Sequence, residues 1–164
     1  MSKDKISLVI DSSKAKLLYK NADTSLKTIL EETFGKEFFS EKLIDRINTI
    51  EDVYKELNRK QPILSDYKFL PVEKREKAMC NQYAEDISEV FAEGLKFDFT
   101  NLNQRKYYNW YEKKQNSWVL DSVLYGCLCS VFVSGFYFKD EETAKHCANK
   151  FLDSVYSKVL EPLG

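Results

Sequence analysis

The chain has 164 residues, of which 43% are hydrophobic, 14% aromatic and 31% charged, a composition that excludes a fully disordered polypeptide. Lys and Arg number 25 against 26 Asp and Glu, and the net charge of −1 excludes a globally basic nucleic-acid binder and an acidic mimic of DNA. That length allows one domain, or one domain with a small helical appendage.

Ile6 to Ile10 is rich in branched residues and predicts a short strand. Asp11, Ser12 and Ser13 then offer caps for a short helix over Lys14–Lys20. Asp23-Thr24 begins a second helix, with Leu26, Ile29, Leu30 and Phe34 at helical spacing and Gly35 at the left-handed stop. These pieces predict a strand and helical appendage over residues 1–40, followed by a globular domain over 41–164.

Ser40 opens a third helical piece carrying Leu43, Ile44 and Ile47. Thr49 and Asp52 have the spacing of a capping box for a short helix with Val53, Tyr54 and Leu57 on its apolar face. Asn58 to Leu70 has no period and contains Pro62, so a loop is expected, with Pro71 opening the next helix. Cys80, Tyr83, Ala84, Ile87, Val90, Phe91 and Leu95 recur at three- and four-residue steps, opposite Lys74, Glu76, Glu85 and Glu89. This is the clearest amphipathic helix of the chain.

Residues 106–112 and 116–123 read as a hairpin turning at Lys113-Lys114-Gln115, with a third strand over Cys129–Phe138 covered on much of both faces. Asp140 caps a final helix whose stripe is Ala144, Cys147, Ala148, Phe151, Leu152, Val155 and Val159. Helices, then three antiparallel strands, then a helix packed on them predict an α+β fold.

The charged start, Met1-Ser2-Lys3-Asp4-Lys5, has only five apolar-rich residues behind it, so no secretory leader is expected. The most apolar stretch, Trp118 to Phe138, is broken by Asp121, Ser122, Ser130 and Ser134, and predicts buried strands in place of a membrane span. Cys80, Cys127, Cys129 and Cys147 are too scattered for a zinc framework and read as small buried hydrophobes in a reducing cytoplasm. No cofactor or metal is expected. His146 is the one histidine, which leaves little material for a triad, and it reads as a partly exposed helix residue. Phosphate-cradling glycine motifs are absent, and the adjacent acids Glu31-Glu32, Glu51-Asp52 and Glu141-Glu142 diverge by about 100° on a helix, so they do not converge on a metal or a sugar. No catalytic residue is expected.

The informative run is Asn101 to Trp118, with four cations and one acid interleaved with rings. Arg105, Lys106, Tyr107, Tyr108, Trp110, Tyr111, Lys113 and Lys114 are its candidate binding residues. Rings between cations suit stacking on unpaired bases beside neutralised phosphates. The same pattern suits cross-strand pairing in a hairpin with lysines guarding its edge, which is the favoured reading. A protein-binding hot spot of Trp, Tyr and Arg is the third.

Asn103 to Tyr111, read as Asn-Gln-Arg-Lys-Tyr-Tyr-Asn-Trp-Tyr, resembles the N-Q-x-K-Y-Y-P-W-F block of a family of small proteins common in Bacteroides-type gut bacteria and their phages. Ser134–Lys139 with Glu141–Phe151, Ile47–Leu57 and Ala92–Phe99 are similar to further blocks of that family, in the same order over about residues 41–160. Asn109 stands where the family has proline, Asn149 where it has glycine, and residues 113–133 lack its Gly/Ser-rich insert. The resemblance implies a phage or mobile-element context and carries no activity with it. The expectation is a non-enzymatic accessory protein that binds a protein partner, such as a host or defence nuclease complex in the manner of an anti-CRISPR inhibitor. A binder of RNA, single-stranded DNA or nucleotides through residues 104–111, and a small enzyme of unfamiliar type, are the alternatives.

Overall fold

The computed structural model describes residues 10–127 and 136–162. The fold is α+β, and the chain divides into two compact units, Met1–Lys42 and Leu43–Gly164.

In the first unit, helix α1 (Ser12–Asn21) packs on α2 (Thr24–Phe34), and the single turn α3 (Lys36–Phe39) follows. Asp11 and Asp23 cap the two longer helices by accepting the N–H of Lys14 and of Leu26, each at 2.9 Å. Gly35 ends α2 with φ +85°, a conformation that only glycine adopts without strain. The turn after it brings Phe39 onto Tyr19, with ring centres 4.2 Å apart, and the Tyr19 hydroxyl donates to Glu31. The strand expected at Ile6–Ile10 falls almost wholly outside the described residues.

The second unit begins with α4, a single turn at Leu43–Arg46, where a helix from Ser40 was expected. Helix α5 (Ile50–Leu57) starts at the expected capping box: Thr49 Oγ1 accepts the Asp52 N–H, and the Asp52 carboxylate accepts from Thr49. Within the loop 58–70 lies a 3-10 turn, Leu64–Tyr67. Pro71 precedes α6 (Val72–Ala92), which carries no glycine or proline and buries Cys80, Tyr83, Ala84, Ile87, Val90 and Phe91. The helix stops at Glu93 and Gly94, at φ +50° and +79°, so Leu95 lies beyond it and is exposed.

Strands β1 (Lys106–Lys114) and β2 (Ser117–Gly126) form an antiparallel hairpin. The strands run further than expected and turn at Gln115-Asn116, with Gln115 at φ +54°. Asp121 bulges from β2, since Trp110 faces Ser122 and Tyr111 faces Leu120. β3 (Tyr137–Phe138) pairs with Tyr107 and Tyr108 of β1, giving the order β2-β1-β3. The expected third strand is thus seen at its last two residues; 129–135 lie outside the described residues.

Asp140 caps α7 (Glu141–Phe151) through the Thr143 N–H at 2.7 Å. A π-helical turn, Leu152–Tyr156, leads directly into α8 (Ser157–Leu160). The core lies between the helices and one face of the sheet, built from Ile47, Val53, Ile87, Phe91, Phe138, Phe151, Val155 and Tyr156. Each such fully buried aliphatic or phenyl side chain contributes about 1.5–3 kcal/mol of transfer free energy.

Candidate functional site

Side chains alternate across a strand, so β1 deals the informative run to two faces. Its inner members are Tyr107, Asn109 and Tyr111. Tyr107 and Tyr111 pack on the core, and Asn109 Nδ2 donates to the Ala144 carbonyl of α7 at 2.9 Å. Tyr111 lies against Tyr156, with ring centres 5.8 Å apart. Burial pushes both phenols well above their ordinary range. The Tyr111 and Tyr156 hydroxyls and Asn109 Oδ1 are buried with no hydrogen-bond partner among the described residues.

The outer members are Lys106, Tyr108 and Trp110. Lys106, expected to meet phosphate, is 0% exposed. Its ammonium donates to the carbonyls of Gln104 and Cys127, both at 2.9 Å, and lies 5.3 Å from the Phe99 ring centre. Sequence reasoning placed this cation on the surface because charge usually stays in water; two strand-end carbonyls and an aromatic face replace water here. Tyr108 meets Tyr137, which is covered by Phe97 and Phe99. Trp110 remains 46% exposed, and diagonally across the hairpin Leu124 is 40% exposed.

The remaining candidates stand at the hairpin's two ends. Arg105 stacks over Tyr125, 4.8 Å from the ring centre, and Tyr125 is 57% exposed. At the tip, Lys113 pairs with Glu161 at 2.9 Å and Lys114 with Glu112 at 3.1 Å. The eight candidates therefore do not share one surface. Trp110 joins Leu124 in an apolar outer patch, while Tyr125, directly across from Tyr107, carries the Arg105 stack on the opposite face. Leu124 lay just past the expected end of β2, and only the pairing register brings it beside Trp110.

His146 Nε2 lies 2.8 Å from the Ile47 carbonyl, with its ring 5.6 Å from Phe91, so it ties α7 to the chain ahead of α5. Cys80 and Cys147 are buried, and burial pushes both thiols up, away from the nucleophilic thiolate. Asp86 is a buried carboxylate at a cleft of about 420 Å3 that Tyr67 and Arg59 also line. Its oxygens accept from the Tyr54 hydroxyl and from Gln82 Nε2 at 3.3 Å, with the Arg59 guanidinium 3.6 Å away. Both oxygens are thus engaged inside the protein.

Among the described residues, no cluster of three or more His, Cys, Asp or Glu side chains could hold a metal ion, and no helix is long and apolar enough to cross a membrane. No family model, curated protein or solved structure matches the chain.

Proposed function

We propose that this chain is a non-enzymatic binding protein that docks a protein partner on the outer face of its hairpin. The observation that carries the reading is the apolar character of that face. An antiparallel sheet packed on one side normally turns polar residues outward, whereas here Trp110 and Leu124 stand in water beside Tyr108. Trp, Tyr and Arg are the side chains that dominate protein–protein hot spots. The sequence resemblance to proteins of gut bacteria and their phages supports a host or defence protein as the partner. A nucleic-acid partner is less well supported, because Lys106 is enclosed and the Lys113 and Lys114 ammonium groups have carboxylate neighbours.

Leu124→Glu alters the outer face and Tyr125→Ser the opposite one; both side chains are exposed, so both variants are expected to fold. Affinity capture from host lysate with the native chain and with both variants, read by mass spectrometry, tests the proposal. A protein retained by the native chain and by Tyr125→Ser and lost from Leu124→Glu is the expected result, with a cost of about 2 kcal/mol, or roughly 30-fold, for the anchor. Recovery of the same proteins by all three chains, or recovery abolished by nuclease treatment, overturns it.

A further inference from the structure

We infer that a cavity between helix α6 and the hairpin binds a planar heteroaromatic molecule bearing an amino-type donor, the class to which nucleobases belong. The cavity measures about 630 Å3, within the range of small-molecule sites. On the hairpin it is lined by Asn109, Trp110 and Tyr111 of β1 and Trp118 of β2. Its two long walls differ in chemistry.

The hairpin wall is aromatic, formed by Trp110, Tyr111 and Trp118. Trp118 is held in place by its indole N–H, which donates to Glu161 at 3.0 Å. Flat rings stack on such faces, and base–aromatic stacking contributes about 1–3 kcal/mol per base. The helix wall is polar: Lys77, Asn81 and Glu85 recur at four-residue steps and so share one stripe of α6. Lys77 already donates to the Glu161 carbonyl at 2.6 Å. Asn81 and Glu85 are exposed and enter no hydrogen bond or ion pair among the described residues.

A stacking wall facing an amide and a carboxylate reads a ring with a hydrogen-bonding edge. The Asn81 amide offers a donor and an acceptor side by side, the complement of an adenine edge, and the Glu85 carboxylate accepts from an exocyclic amino group. Among the described residues, Lys77 is occupied by a carbonyl and Lys113, 5.4 Å from the Trp118 ring centre, is paired with Glu161, so an uncharged base or nucleoside fits better than its phosphate ester. This site is independent of the proposed docking face. Trp110 borders both surfaces, so the test relies on Asn81 and Glu85, which the outer face does not contain.

The test titrates the native chain with adenosine and cytidine and follows quenching of Trp110 and Trp118 fluorescence. Saturable quenching is expected, about tenfold weaker with purine riboside, which lacks the amino group, and no tighter with AMP than with adenosine. Glu85→Gln and Asn81→Leu are each expected to weaken adenosine about tenfold while leaving the thermal midpoint unchanged. A short oligodeoxyadenylate forms a further arm: tighter binding than adenosine identifies a base within a strand as the source, and weaker or equal binding identifies the free nucleoside. Absence of saturable quenching up to about 5 mM, or equal affinity for native and variant chains, overturns the inference.

Discussion

Two buried tyrosines of one core are expected to respond with opposite signs to the loss of the same oxygen atom. The Tyr156 hydroxyl is fully enclosed and has no hydrogen-bond partner among the described residues. Burying an unpaired hydroxyl costs about 1–3 kcal/mol, so Tyr156→Phe is expected to stabilise the protein by about that amount. For a chain of this size that is a rise in Tm of roughly 2–10 °C. The Tyr54 hydroxyl donates to the buried Asp86 carboxylate, which otherwise has only Gln82 and the more distant Arg59. Tyr54→Phe removes a hydrogen bond to a charged group and is expected to cost about 1.5–3 kcal/mol. The two variants should therefore lie about 2.5–6 kcal/mol apart. Urea unfolding followed by tryptophan fluorescence measures both, because Trp110 and Trp118 belong to the same unit as Tyr54 and Tyr156. A loss of more than about 0.5 kcal/mol in Tyr156→Phe, or equal effects of the two substitutions, refutes the reasoning.

Lys106→Ala strands the carbonyls of Gln104 and Cys127 and leaves a void under Phe99; chemical denaturation should show a loss of about 2–4 kcal/mol. Asp140→Ala removes the cap of α7 and should cost about 1 kcal/mol, read from the thermal midpoint. The Asp52 carboxyl is held below its ordinary range, first by the Asn48 N–H and then by the Thr49 hydroxyl. Its contribution is therefore complete above the unfolded pKa of about 3.9 and lost as pH falls through the lower folded value. Thermal melts of Asp52→Asn and the native chain should differ by a constant amount between about pH 5 and 7 and converge in acid. Convergence as pH rises would contradict that assignment.

Local signals were legible in the sequence wherever local chemistry decides the structure. The apolar spacing of α6, the Thr49–Asp52 box and the Asp140 cap are set by residues three or four apart, and the structure has all three. The hairpin was legible, but its turn was displaced because Lys113 and Lys114 read as loop while occupying an exposed strand end. The helix beyond Gly94 was overextended to Leu95, whose apolar character matched the period although the backbone had already turned left-handed. Lys106 was misjudged for a different reason. Its burial depends on Phe99 and Cys127, partners that only the tertiary fold supplies. The meeting of Asn81 and Glu85 with Trp110 and Trp118 is likewise invisible locally, since α6 and the hairpin each satisfy their own pattern.

The π-helical turn at Leu152–Tyr156 carries a consequence for every residue after it. An ideal helix advances about 100° per residue, so one extra residue taken up in regular helix would rotate everything after it by about that angle, whereas a π turn absorbs it. Val155 and Tyr156 both reach the core within this turn, and Val159 and Leu160 line the cavity together with Trp118. Taking one residue out of the turn would close it into an ordinary helix and leave Val159 and Leu160 on that wall. The widened turn thus keeps the chain's last helical residues in phase with the face that α7 buries.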